Sequence, residues 1–176
     1  PNTAAAVRTA TARPGAIPAA TARNSSGLEV VFRPDPSIGD GRWSNNGWLQ
    51  ELPKTTTKLT WDNAAVMSPR TAERLGVATE DVVELRYQGR TVRAPVYVTP
   101  GIADDSVIAH FGYGRTRAGS VGTGIGFNAY ALQISGEPWG GTGLEVRKTG
   151  TRYPLASTKN HHPLLDRSHE ERQIIR

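Results

Sequence analysis

Alternating apolar and polar positions mark the middle of the chain. Residues 83–87 alternate between apolar and charged side chains, and residues 92–98 and 107–111 repeat the same period of two. Turns that contain glycine separate these runs, as expected for short half-buried strands. The pattern predicts a mainly β fold, a small barrel with short helices. Its predicted core contains Val83, Leu85, Val92, Val96, Val107 and Phe111.

One short helix has clear start and stop signals. Ser68 is a good N-cap, Pro69 suits the first helical position, and Gly76 suits the left-handed position after the helix. These residues predict a helix over 69–75. Upstream, the Asn46-Gly47 pair predicts a tight turn.

The two ends of the chain differ from its middle. Residues 1–26 are rich in Ala and Thr and show no periodicity. Their low apolar bulk cannot offset the entropy cost of ordering, which predicts a disordered linker. Residues 27–146 are predicted to form the barrel domain with its leading loop. Residues 147–176 are predicted to form a polar C-terminal extension.

Composition excludes several kinds of site. Cysteine is absent, so the chain holds no disulfide, thiolate metal site or cysteine-ligated iron–sulfur cluster. No segment approaches the roughly 18 apolar residues of a membrane-spanning helix, so membrane association would need a partner. The net charge of +5 is dispersed, which is typical of a solvated surface. Because the chain opens with Pro1, we expect a processed chain or part of a longer protein.

A glycine-rich run over residues 112–126 is the main candidate for binding chemistry. Glycines let a backbone approach a phosphate closely and present N–H groups to it. Arg115 and Arg117 within the run could pair with a pyrophosphate. The competing interpretation is a loop that joins two strands.

The histidines do not indicate a catalytic or metal site. His110 has no evident partner that would orient it as a base, which favours a packed or solvent-facing histidine. His161, His162 and His169 lie in the polar tail, where solvated side chains are the more common case. The sequence therefore predicts no catalytic residue and no metal ligand in this chain.

Several separated motifs together resemble one known family. They read NGWLQELP at 46–53, TKLTWDNA at 57–64, MSPRTAERLGV at 67–77, HFGYGRTRAG at 110–119 and GFNAY at 126–130. This set resembles the C-terminal domain of molybdopterin oxidoreductases of the dimethyl-sulfoxide-reductase superfamily. It is more similar still to the Tat-variant-translocated large subunit of alternative complex III, a quinol-oxidising respiratory assembly. The likeness covers roughly residues 28–176.

This resemblance implies a double-psi β-barrel of the molybdopterin-dinucleotide-binding type. In cofactor-bearing relatives the domain closes over one end of the molybdopterin dinucleotide through its glycine-rich and Asn-containing loops. The metal ligand of those relatives lies in other domains. Carried over by motif, the resemblance implies cofactor contacts from Asn63, Gly112, Gly114, Arg115 and Asn128. The isolated chain itself is expected to hold no cofactor.

The closer likeness implies a more particular setting. It implies a scaffold that has lost the molybdenum centre and is not catalytic alone, with iron–sulfur clusters outside this segment. The implied partners are other domains of the parent subunit and other subunits of a membrane-associated respiratory complex. The implied location is the periplasm.

Three hypotheses follow from the sequence. The first is a scaffold domain of a respiratory electron-transfer complex. The second is a functional dinucleotide-binding domain of an active molybdenum oxidoreductase. The third, a basic barrel that binds nucleic acid, would need a clustered basic face with interleaved aromatics. Only Arg115, Arg117 and Tyr113 resemble such a face, so nucleic acid is the least favoured partner.

Overall fold

The computed structural model describes residues 27–159 of the chain. This part contains six strands and four short helical segments, joined by loops. The linker predicted for residues 1–26 lies outside this range, as do His161, His162 and His169. The strands are β1 (Leu28–Arg33), β2 (Ala65–Met67), β3 (Asp81–Tyr87), β4 (Arg90–Val98), β5 (Ser106–His110) and β6 (Gly140–Arg152). The helices are α1 (Gly47–Glu51), α2 (Pro69–Leu75), α3 (Gly119–Gly122) and a 3-10 turn, Ala129–Ala131.

The strands close into one barrel in the order β1-β5-β2-β4-β3-β6. β1 runs parallel to β5, and β2 runs parallel to β4. The other four neighbouring pairs are antiparallel. Closure gives every strand two neighbours. The mainly β barrel predicted from the sequence is confirmed, and its mixed strand directions agree with the expected double-psi class.

The barrel interior is built from the alternating positions. Along β3, Val83, Leu85 and Tyr87 point inward and are buried, while the charged residues between them are more exposed. The predicted core is confirmed, because its members pack in one cluster: Val83, Leu85, Val96, Val107 and Phe111 are buried, with Val92 partly buried against them.

The predicted helix is also confirmed. α2 spans Pro69–Leu75, and the Ser68 side chain accepts a hydrogen bond from the Thr71 amide. Gly76 adopts the left-handed conformation with φ 66° and ends the helix. At Asn46, however, the predicted tight turn is wrong. The Asn46 side chain caps α1 instead, accepting from the Trp48 and Leu49 amides at 3.1 and 3.2 Å.

β6 extends to Arg152, six residues beyond the barrel boundary placed at residue 146. Lys148 and Arg152 pair in register with Val83 and Asp81 of β3. The extension carries polar side chains, so hydrophobic alternation gave no signal for it. Backbone pairing and a 2.6 Å ion pair between Lys148 and Asp81 hold it in the sheet.

The chain after β6 returns to the segment before β2. The Thr60 amide donates to the Ala156 carbonyl at 3.0 Å, and the Thr158 amide donates to the Lys58 carbonyl at 3.1 Å. Leu155 is buried in a second small apolar cluster with Leu59. Part of the predicted polar extension therefore packs on the barrel. Within residues 27–159, no helix has the length and apolar character needed to cross a bilayer.

We expect Leu85→Ala to lower the free energy of unfolding by about 2–5 kcal/mol, because it leaves a cavity in a closed core. Leu85 is fully buried. Thr91→Ala, at an exposed position of β4, is the control and should cost well under about 1 kcal/mol. Urea unfolding followed by circular dichroism measures both. Equal midpoints for Leu85→Ala and wild type would contradict the core assignment.

Candidate functional site

The Asn63 side chain fastens the glycine-rich loop to the barrel. Its amide nitrogen donates to the His110 carbonyl at 2.8 Å and to the Phe127 carbonyl at 3.0 Å. Its amide oxygen accepts from the Phe127 N–H at 2.9 Å. Asn63 is buried, and these bonds use both of its N–H groups and its oxygen. The Asn63 amide groups, predicted to contact a cofactor, are therefore hydrogen-bonded to the protein's own backbone.

Gly112 and Gly114 serve close backbone packing. A Cβ at Gly112 would lie 3.0 Å from the Gly41 nitrogen and 3.1 Å from the Gly39 oxygen. A Cβ at Gly114 would collide with the backbone at Asn128, and the Gly114 N–H donates to the Ile125 carbonyl at 2.7 Å. Both glycines have positive φ, which L side chains rarely adopt. The space beside these two glycines is filled by protein rather than open to a phosphate.

Arg115 and Asn128 meet in an open cleft. The cleft has a volume of about 480 Å³ and is lined by Asp40, Arg42, Arg115, Asn128 and Tyr130. The Arg115 guanidinium donates to the Gly41 carbonyl at 3.0 Å. Asn128 is exposed, and its side-chain oxygen accepts from the Tyr130 amide at 3.1 Å. Two of the predicted contact residues are thus brought together at one solvent-facing site.

Asp40 and Arg42 form a bidentate ion pair in this cleft. The Arg42 Nε donates to Asp40 Oδ1 at 3.0 Å, and its terminal nitrogen donates to Oδ2 at 2.8 Å. The Arg42 amide also donates to Oδ1, at 3.0 Å. These bonds from Arg42 hold the pKa of Asp40 well below its usual range and raise the pKa of Arg42. Asp40 is therefore a carboxylate at neutral pH.

A second cleft, of about 510 Å³, adjoins the first and has aromatic walls. The two share Asp40, Arg42 and Tyr130. Its other lining residues are Pro34, Gly39, Trp43, Phe111, Gln133 and Trp139. Trp43 and Trp139 are 55% and 65% exposed, which is high for such large rings.

Beneath the loops lies a buried polar cluster around Lys54. The Lys54 ammonium donates to the Asp62 carbonyl at 2.7 Å and to the Tyr113 hydroxyl at 2.9 Å. The Asp35 carboxylate lies 3.7 Å from the same nitrogen. Burial lowers the pKa of Lys54, opposed by the charges of Asp35 and Asp62. Burial also raises the pKa of Tyr113.

The burial of Tyr113 and His110 affects two predictions from the sequence, a nucleic-acid-binding face and the role of His110. Tyr113 is 2% exposed, so its ring cannot stack on a nucleic acid base. The nucleic-acid hypothesis depended on Tyr113 as the aromatic residue of a basic face, and the structure does not expose it. His110 is partly buried beside the same cluster, and burial lowers its pKa while the Asp35 charge opposes the shift. Among residues 27–159, no group of three or more His, Asp or Glu side chains could hold a metal ion.

Sequence reasoning missed the cleft residues Asp40, Arg42, Trp43, Tyr130 and Trp139. Tyr130 is part of the GFNAY motif, but no pattern in the neighbouring sequence indicated that its side chain would line a cleft. The Asp40-Gly41-Arg42 triplet was the available signal for the ion pair, because an Asp side chain often accepts from the backbone amide two residues on. The neighbourhood of Trp139 is a long-range feature with no local signal.

The chain is similar in sequence to known proteins. A family model described as the molydopterin dinucleotide binding domain matches residues 39–139. The chain belongs to this family. Over 69 residues it is 35% identical to the thiosulfate reductase molybdopterin-containing subunit PhsA of Salmonella typhimurium, a match that covers 39% of this chain and 9% of that protein.

A solved structure supports the fold. Acetylene hydratase from Pelobacter acetylenicus superposes with a TM-score of 0.52 and 11% sequence identity, over 69% of this chain and 18% of that one. At this identity the likeness concerns the fold alone. The chain matches only a small part of the length of either relative.

The donor set of the first cleft fits the pyrophosphate of a dinucleotide. Arg42, Arg115 and Asn128 offer guanidinium and amide groups, which bind phosphate oxygens well. Three other predicted contacts are less available to a phosphate. Gly112 and Gly114 are packed against neighbouring backbone, and the Asn63 side chain is hydrogen-bonded within the protein. Residues of this chain that could hold the cofactor therefore lie on the cleft rim.

We expect Asn63→Ala to lower the free energy of unfolding by about 2–4 kcal/mol, because it leaves the buried backbone groups of His110 and Phe127 unpaired. Asn128→Ala, which removes an exposed cap, is the matched control and should cost about 1 kcal/mol. Urea unfolding gives both values. A loss at Asn63 no larger than that at Asn128 would contradict the fastening role.

Asp62 should make stability depend on pH in an unusual direction. Burial raises its pKa above the ordinary 3.8, opposed by a hydrogen bond from Tyr153 and the charge of Lys54. The folded state therefore binds the proton more tightly, so this contribution is full below pH 3.8 and is lost as pH rises through the raised pKa. Relative to Asp62→Asn, wild type should be more stable near the acid end of that window than at neutral pH. A difference that does not vary with pH in urea unfolding would refute this.

Proposed function

We propose that this domain is the C-terminal, molybdopterin-dinucleotide-binding-type part of a large subunit in a respiratory electron-transfer complex, similar to that of alternative complex III. In this role it is a scaffold that supplies no reacting group. Iron–sulfur clusters lie outside this segment, and the domain is on the periplasmic side, held at the membrane through partner subunits.

The observation that supports the scaffold role is the internal use of the predicted contact groups. Asn63 makes all three of its hydrogen bonds within the protein. Gly112 and Gly114 are packed against neighbouring backbone. A loop whose polar groups are hydrogen-bonded and whose glycines are packed within the protein keeps its shape without a ligand, as a structural domain requires.

An exposed apolar face on α1 supports contact with partners. Trp48 is 88% exposed and Leu52 is 55% exposed. Trp61, 36% exposed, lies beside the same helix, since its ring is 4.0 Å from the position of a Cβ at Gly47. Exposed apolar patches of this kind mark interaction sites. We name Trp48, Leu52 and Trp61 the α1 patch.

A second candidate function is that of a working dinucleotide-binding domain. The observation in its favour is the cleft in which Arg42, Arg115 and Asn128 converge. The redox chemistry of such a cofactor belongs to its metal centre, and the residues of this chain would bind and orient its phosphates.

The scaffold proposal predicts that the α1 patch is needed for assembly. In the full-length protein purified from its membranes, Trp48→Ser should lower the recovery of co-purifying respiratory subunits about tenfold, the effect of about 1.4 kcal/mol. Mass spectrometry of the purified complex identifies and quantifies those subunits.

Thr91→Ala is the control and should leave recovery unchanged, because Thr91 is an exposed polar position of β4. Wild-type protein that purifies without respiratory subunits would overturn the proposal. So would a complex whose composition Trp48→Ser does not alter.

A further inference from the structure

β6 is longer than the strand that it meets on one side. Its pairing with β1 ends at Leu144, whereas its pairing with β3 covers residues 145–152. Over this stretch β6 has a strand on one side and, among residues 27–159, none on the other. The stretch is exposed apart from two half-buried positions. We name residues 145–152 the β6 edge.

Backbone groups of alternate residues in the β6 edge point away from β3. Pro95 of β4 lies opposite Val82 of β3 and has no N–H, so this pair cannot exchange two hydrogen bonds. Val82 and every second residue after it therefore direct their backbone groups towards β6. Arg147 lies opposite one of these residues. Because backbone groups alternate in direction along a strand, those of Val146 and Lys148 point to the open side.

β4 shows how a similar edge is covered elsewhere in the barrel. Its residues 90–95 pair with β3, and β4 meets β2 only from Val96 onward. The 3-10 turn Ala129–Ala131 lies against β4, and the Arg90 guanidinium donates to the Gln133 carbonyl at 2.8 Å. In the described part of the chain, no loop forms a backbone hydrogen bond with the open side of the β6 edge. The β6 edge is therefore an exposed template for one more strand.

The outer face beside the β6 edge has more guanidinium groups than carboxylates. Arg147 lies opposite Glu84 of β3, and Arg93 of β4 lies opposite Glu84 on its other side. The Glu84 carboxylate accepts a hydrogen bond from Arg86 at 2.7 Å. With Glu145, which lies opposite Arg86, this face carries three guanidinium groups and two carboxylates. Within residues 27–159, no acidic side chain forms an ion pair with Arg147.

Charge distinguishes the possible occupants of this edge. Residues 1–26 precede β1 in the chain, but they contain three arginines and no acidic residue. A second copy would bring an identical excess of guanidinium groups to the same line of contact, and like charges on facing strands repel. An extended segment with acidic side chains matches the edge both in its backbone groups and in its charge.

We propose that the β6 edge binds an extended segment of another polypeptide as an added antiparallel strand, with an acidic side chain beside Arg147 and apolar side chains at the alternate positions. Side chains of the added strand alternate between the two faces of the sheet. Its acidic residues lie on the outer face with Arg147, and its apolar residues lie on the face of Val146, which packs against the barrel core. The proposal goes beyond the scaffold role and does not depend on the α1 patch.

The test uses the full 176-residue chain and a seven-residue peptide that alternates valine with glutamate, followed by NMR. This peptide should bind at least about tenfold more tightly than a matched peptide that alternates valine with lysine, because only glutamate attracts Arg147. The amide signals of Val146 and Lys148 should shift with saturation, and their hydrogen exchange should slow. The amide signal of Thr91, on β4, is the internal reference.

Methylated peptides test whether the contact is a strand. In the proposed arrangement the valine N–H groups face β6, and the glutamate N–H groups face solvent. Methylation of the valine nitrogens should therefore abolish binding of the valine–glutamate peptide, whereas methylation of the glutamate nitrogens should leave its affinity within about twofold. Equal effects of the two methylations would overturn the added strand.

A pair of arginine variants tests the charge. Arg147→Glu should reverse the preference, so that the valine–lysine peptide binds more tightly. Arg93→Glu is the matched control, because Arg93 lies in the same row but two strands further from the added strand, about 10 Å. It should leave the preference within about twofold. Both arginines are exposed, and circular dichroism checks that both variants fold.

The remaining outcomes count against the proposal. Failure of both peptides to bind would overturn it, while the assembly test of the α1 patch would stand unaffected. Equal binding of the two peptides would overturn the acidic partner. Slow exchange of the Val146 and Lys148 amides in the free, dilute chain would indicate that the chain itself covers the edge. Slow exchange that appears only at high protein concentration would indicate a second copy, and either result would overturn the proposal.

Discussion

The Asn63 amide is the interaction on which the rest of the site depends. It bridges the end of β5 at His110 to the glycine-rich loop at Phe127. With Phe127 fixed, Asn128 and Tyr130 follow at defined positions, and Tyr130 can stack on Phe111. Buried polar groups of this kind specify one arrangement, because any other would leave them unpaired in a low-dielectric interior.

A second constraint is the close approach of three loops. Gly112 and Gly114 permit backbone contacts that a side chain would block. Arg115 then reaches the Gly41 carbonyl, which brings its charge toward the Asp40–Arg42 pair. The glycines thus act by packing loops together, and the cleft results from that packing.

The site and the scaffold role are compatible physically. Internal hydrogen bonds give the loop a shape that does not need a ligand, while the exposed residues of the two clefts and the α1 patch remain available for contact. The ion pair between Asp40 and Arg42 limits the affinity for anions, because its bidentate bonds must be exchanged for those to a ligand.

The sequence by itself determined the local features of this protein. Alternation along 83–87 gave β3 and its core residues, and Ser68, Pro69 and Gly76 gave α2, because caps and strand faces depend on residues close in sequence. Tertiary structure decided the strand order, the extension of β6 and the cleft. Arg42 and Arg115 are 73 positions apart (115 minus 42). Their meeting depends on barrel closure and on Asn63, which only long-range packing supplies.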